Sequence, residues 1–190
     1  MPAIRLIRRR IRSVQSIRKV TRAMEMVAAS RMRRAQERAV AARPYDEKIR
    51  QVIADLSAAI PPSPEGAIHP LLHNRPMQRV QIVLITTDRG LCGALNSNTI
   101  RQAATFITEQ QVPVTGVAVG KKGRDFLYRT GQQVKAEFSG LGDRPRLLDI
   151  GPIARVVMDD YIAGQADRVY LIYPQFVSTI MQHPVVQQLL

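Results

Sequence analysis

The sequence predicts an α/β protein in two parts: one very long N-terminal helix, then a domain of alternating strands and helices on a mainly parallel sheet. Three observations carry this. Residues 1–50 hold 15 Arg/Lys against 4 Asp/Glu, a net +11, while the rest of the 190-residue chain holds only +2. The same opening segment carries an apolar stripe at helical spacing. Prolines then crowd Ile60–Met77, and beyond them strand-like and helical runs alternate.

The stripe begins with Ile4, Ile7, Ile11 and Val14, spaced three, four and three as in a heptad seam. Ile17, Val20, Met24, Val27 and Arg31 continue it, with one extra short step near Val14 that alters a supercoil locally without ending the helix. Ala28, Ala29, Ala35, Ala39, Ala41 and Ala42 follow, all strong helix formers. Pro2 suits a first turn, where its missing N–H is not needed. Pro44 should kink the rod, and Ile49, Val52, Ile53, Leu56 and Ile60 restore helical spacing after it. The expectation is one helix over Ala3–Leu56, bent near Pro44. A rod of about 55 residues spans roughly 80 Å, too long for one small core, so its stripe calls for a partner.

Three partners compete for the excess charge: nucleic acid, a membrane surface, or an acidic protein sleeve. No Phe, Tyr or Trp precedes Tyr45, which removes base stacking and aromatic membrane anchors from the rod. The heptad regularity favours a helical protein partner, with a nucleic-acid-associated basic helix as the alternative. The opening is Arg-rich and lacks acids before Glu25, as transit peptides do, but its apolar spacing runs on past any cleavage site and reads as mature sequence. No apolar run reaches bilayer length, and a single cysteine, Cys92, excludes an internal disulfide.

The domains are therefore expected as 1–60, the kinked helix; 61–78, a Pro-rich linker; and 79–190, the α/β domain. Strand-like runs are Val80–Thr86, Val114–Val119, Val134–Phe138, Val169–Tyr173 and Phe176–Met181. Helices are expected near Ala94–Gln110, Lys121–Thr130 and Ile150–Ala163. Only Pro174–Gln175 would separate the last two strands, so the final one is expected to be antiparallel or at an edge.

Chemistry-bearing patterns are sparse. The first strand ends in Thr87-Asp88-Arg89-Gly90-Leu91-Cys92-Gly93, where open α/β sheets bind ligands. Its Gly-x-x-Gly spacing is not the dinucleotide fingerprint, and Gly116…Gly120-Lys121-Lys122 is one residue short of a P-loop and lacks its Ser/Thr. Ser139-Gly140 fails as a nucleophile elbow because Glu137 stands where glycine is required. His69 and His73 lie in the Pro-rich stretch without an acid to complete a metal set. Asp159–Asp160 reads as the solvated face of the last helix. No catalytic residue, cofactor or metal site is predicted.

Two segments nonetheless resemble a known family. Val20-Thr21-Arg22-Ala23-Met24-Glu25-Met26-Val27-Ala28-Ala29-Ser30-Arg31-Met32-Arg33-Arg34-Ala35-Gln36 looks like the N-terminal helix signature of the F-type ATP synthase gamma subunit. Thr87-Asp88-Arg89-Gly90-Leu91-Cys92-Gly93-Ala94-Leu95-Asn96 resembles that family's other marker, with Ala94 where glycine is frequent. Arg43-Pro44-Tyr45 and Gln187-Gln188-Leu189-Leu190 also fit. The resemblance implies a non-catalytic central-stalk rotor coupling ion flow to ATP synthesis. Its helix would be half of an antiparallel coiled coil beside a Rossmann-like domain. Implied partners are the alpha/beta catalytic hexamer, the epsilon subunit and the membrane ring, on the cytoplasmic face of a bacterial plasma membrane or its equivalent. Ile4, Ile7, Ile11, Val14, Met24 and Val27 are the expected partner interface. The family usually continues into a second long helix, and the chain is expected to lack that C-terminal part.

Overall fold

A computed structural model describes residues 2–59, 69–72, 75–142 and 144–190. The chain divides into two compact units, Met1–Pro61 and Pro62–Leu190. The first is a single helix, α1 (Pro2–Ala59), which runs through Pro44. No glycine occurs before Gly66, so α1 carries none of the backbone entropy cost that would divide a rod of this length. Most of the expected Pro-rich linker, residues 61–68, 73 and 74, lies outside the described residues.

The second unit is a five-stranded sheet with helices on both faces. Its elements in order are β1 (Val80–Ile85), α2 (Leu95–Glu109), β2 (Val114–Val119), α3 (Lys121–Arg129), β3 (Gln133–Phe138), α4 (Leu147–Ile162), β4 (Arg168–Phe176) and β5 (Gln182–Gln188). The spatial order is β3-β2-β1-β4-β5. β1 pairs in parallel with both β2 and β4, β2 with β3, and only β4–β5 is antiparallel. The chain winds outward from β1 through α2 and α3, then returns through α4 to the other side of β1. Reversing direction with one crossover hand puts α4 on the opposite face.

Each face has its own core. Val80, Ile82, Leu84, Ala118 and Ile172 pack with Ala103 of α2 and Phe126 and Leu127 of α3. Val83, Val117, Val119 and Val169 pack with Val157 and Tyr161 of α4. β1, covered on both sides, is buried over five of its six residues, as a central parallel strand must be. Gln81 is its polar member; its Nε2 donates to Asp160 Oδ2 at 2.5 Å.

The end of the chain departs from the sequence expectation. The apolar residues of Phe176–Met181 suggest a fifth strand, but β4 continues to Phe176, residues 177–181 turn, and β5 starts at Gln182. The Val177 and Ser178 N–H groups close that turn by donating to the Met181 carbonyl at 3.2 and 2.9 Å. β5 is antiparallel and lies at the sheet edge, and Pro174 and Pro184 face each other in the ladder. Two residues without N–H groups lose no mutual hydrogen bond at such a position. α4 also begins earlier than expected, at Leu147, where the Asp149 carboxylate accepts the Arg146 N–H at 2.7 Å.

Candidate partner interface

α1 is stitched locally by side chains four apart. Arg50 Nε donates to Asp46 Oδ2 at 2.9 Å and Arg33 Nε to Glu37 Oε1 at 3.1 Å. The Arg50 hydrogen bond holds the Asp46 carboxyl below the usual aspartate range. These exposed pairs are screened by solvent and contribute little to stability. They sustain helicity but cover none of the stripe.

The six expected interface residues, Ile4, Ile7, Ile11, Val14, Met24 and Val27, are all on α1 and between 51% and 64% exposed. At roughly 100° per residue, Ile4, Ile7, Ile11 and Val14 share one face. Met24 and Val27 lie on nearly the opposite one. The structure thus gathers the first four, while the short step between Val14 and Val20 carries the stripe around the helix.

In the second unit, the loop after β1 closes on itself. Asn96 Oδ1 accepts the Thr87 N–H at 3.1 Å, and Asn96 Nδ2 donates to Thr87 Oγ1 at 2.7 Å and to Cys92 Sγ at 3.2 Å. Asp88 reaches sideways: Oδ1 accepts the Lys121 N–H at 3.0 Å and Oδ2 the Gly140 N–H at 2.7 Å. A carboxylate of the chain itself therefore occupies the start of α3, the place where a helix N-terminus would take a phosphate. In the sequence, Asp88 stands out only as part of its motif; its role as a tie between three loops depends on the sheet order.

Gly116 and Gly120 of the P-loop-like stretch have packing reasons. A Cβ on Gly116 would stand 2.7 Å from Leu127 Cδ1, and Gly120, at φ +97°, turns tightly against Thr86. His69 Nδ1 accepts the Leu71 N–H at 3.3 Å within a 3-10 turn, Pro70–Leu72; His73 lies outside the described residues. Among the described residues no cluster of His, Cys, Asp or Glu could hold a metal ion. Asp160 corrects the reading of a solvated acidic pair: Asp159 is exposed, but Asp160 is half-buried, bonded to Gln81 and 3.9 Å from Lys135 Nζ. Lys135 reaches it from a β-bulge, where the β2–β3 register shifts between Gly116 and Val117. Ser139 has Glu137 where a nucleophile elbow requires glycine.

A basic helix with an exposed apolar stripe, joined in sequence to a doubly wound α/β unit, has the surfaces of a protein that works by assembling with others. The family model described as ATP synthase matches residues 3–190. The ATP synthase gamma chain of Dehalococcoides mccartyi strain CBDB1 is 56% identical over 190 residues, and that of Herpetosiphon aurantiacus 45% over 199. Both alignments cover 100% of this chain, which spans 66% and 67% of those relatives' lengths. Among solved structures, the central stalk and c-ring of the Tetrahymena thermophila mitochondrial ATP synthase matches with TM-score 0.71 and 25% identity, over 90% of this chain and 72% of the other. The chain belongs to the ATP synthase gamma-chain family.

Proposed function

We infer that the chain serves as the non-catalytic rotor of a proton-translocating ATP synthase, transmitting torque between a membrane ring and an alpha/beta catalytic hexamer. The observation that carries this reading is the exposed stripe on a rod some 58 residues long, in a chain of this family. A rod that presents apolar side chains on successive faces fits a sleeve that holds it and a helix that winds around it. On this reading 1–60 is the shaft, 61–78 the linker and 79–190 the body that meets the epsilon subunit and ring. Ile4, Ile7, Ile11, Val14, Met24 and Val27 form the contact with the paired helix and the hexamer. The work is done at the cytoplasmic face of the energy-transducing membrane, to which the chain is peripheral; no described helix is long and apolar enough to cross one.

Supplying the remaining third of the D. mccartyi relative, fused or as a separate peptide, with alpha/beta hexamer and membrane sector provides the test. ATP-driven proton pumping that requires this chain is the expected result. Hydrolysis with no pumping, despite stable incorporation of the chain, would overturn the coupling role.

A further inference from the structure

We propose that the edge of the sheet at the carboxyl ends of β1–β4 is a surface for anionic lipid headgroups, independent of the rod and of the coupling role. The four parallel strands deliver their following loops to this one edge. Asp88 ties the loop after β1 to Lys121 at the start of α3 and to Gly140 after β3. On the other side, a cleft of about 340 Å3 brings Cys92 and Gly93 against Ile180 and Met181 of the β4–β5 turn. The loops therefore form a continuous rim.

Two kinds of side chain stand out from that rim. Arg89, Lys121, Lys122 and Arg146 are exposed cations. The nearby acids are fewer and are held elsewhere: Asp88 accepts two backbone N–H groups, Asp149 the Arg146 N–H, and Asp125, within Coulombic reach of Lys122, bonds Arg124 at 2.7 Å. Among the described residues, Arg89, Lys121 and Lys122 make no ion pair within 4 Å, while Arg146 lies 3.7 Å from Asp149. Between them stand aliphatic tips: Leu91 is fully exposed at φ +61°, Ile180 is 95% exposed, and Leu147 and Leu148 are 84% and 79% exposed.

Leu91 is the sharpest case. A leucine in the left-handed region is costly, and here it places the side chain wholly in water, where it gains nothing from its own fold. Convex aliphatic tips beside exposed cations suit a soft anionic surface. The leucines and isoleucine enter the acyl boundary while the Lys and Arg heads stay among the phosphates. A rigid protein partner would need matching pockets for each tip. The rim has no exposed aromatic, so the expected binding is shallow, reversible and sensitive to salt.

The chain has no tryptophan, which supplies a local readout. Ile180→Trp and, separately, Leu91→Trp are mixed as full chains with phosphatidylcholine vesicles, with or without phosphatidylglycerol. Gln111→Trp, exposed at the opposite edge of the sheet, is the control. The basic rod can bring the whole chain to an anionic vesicle, so sedimentation alone decides nothing; the fluorescence of each reporter does. The expected result is a blue shift and quenching by brominated lipid at 180 and 91, only with phosphatidylglycerol, and none at 111. Adding Arg89→Glu with Lys122→Glu should raise the lipid concentration needed by about tenfold or more. Vesicle binding without a shift at 180 or 91, an equal shift with neutral vesicles, or a shift at all three sites would overturn the proposal. Unchanged thermal melting of the variants keeps misfolding out of the comparison.

Discussion

Asp88 shows how one side chain can organise a unit. Its two charge-assisted bonds to the Lys121 and Gly140 N–H groups join loops that are 33 and 52 residues away in sequence. Asp88→Ala hands those two exposed donors to water, at a net cost of about 0.5–1.5 kcal/mol. Amide exchange at Lys121 and Gly140 should accelerate, with protection in α1 unchanged; Asp88→Asn, which keeps one acceptor oxygen, should fall between. Gly120 offers a sharper contrast with Gly90. At φ +97° and pressed against the Thr86 carbonyl, Gly120→Ala should cost at least ~2 kcal/mol. Gly90→Ala, with nothing near its added Cβ, should leave thermal melting unchanged. Asp46 and Asp125 titrate below the ordinary aspartate range because Arg50 and Arg124, respectively, donate to them. A depressed folded pKa gives stability that is present above the unfolded value and fades as pH falls through the folded one. Carboxyl titration by NMR should therefore place both midpoints under that of a model peptide, and Arg50→Gln should return Asp46 to it.

Among the elements, α1 and β5 each carry a constraint visible in their residues. From Ile4 to Met24 the stripe takes six steps in twenty residues, about 3.3 residues per turn against 3.5 for a regular heptad seam. A partner helix following it must wind left-handedly more tightly than usual around Val14–Val20. Inserting one alanine after Val14 restores the seven-residue count. It should leave the circular dichroism of α1 unchanged while weakening pairing with a peptide from the remaining third of a gamma-chain relative. Equal affinity, measured by calorimetry, would mean the short step has no part in recognition. At the other end of the chain, Pro184 removes an N–H from the outermost strand. Pro184→Val would give that edge a free donor, and concentration-dependent self-association by ultracentrifugation is the expected consequence.

For the molecule as a whole, the uncovered stripe dominates behaviour in solution. Each large apolar side chain left in water forgoes roughly 1.5–3 kcal/mol of burial, and all the expected interface positions on α1, Ile4, Ile7, Ile11, Val14, Met24 and Val27, are more than half exposed. The chain by itself should self-associate through the rod, or fray there, while the two-sided core of the α/β unit stays protected. Supplying the peptide that pairs with the rod should convert it to a 1:1 complex. Ultracentrifugation showing a fully helical monomer, unchanged by that peptide, would contradict this account of the stripe.

The sequence by itself determined the long helix, the alternation of strands and helices after it, and the absence of a fingerprint for nucleotide binding. These are local matters: spacing at three and four, short apolar runs, the positions of Gly and Pro. Its motifs also determined the family, because residues 20–36 and 87–96 are long enough to be specific. What only the tertiary structure decided depends on neighbours far away in the chain. Val177, Ile180 and Met181 read as a strand by composition, yet they form an exposed turn because β4 extends to Phe176 to pair with β5. Asp160 reads as a surface acid, yet the sheet places Gln81 and a bulged Lys135 beside it. Asp88 reads as one residue of a loop, and it becomes a tie to the start of α3 and the loop after β3 only when β2 and then β3 follow β1 across the sheet. Hydrophobic periodicity is written into consecutive residues; the partner of a polar side chain is chosen by the order of the strands.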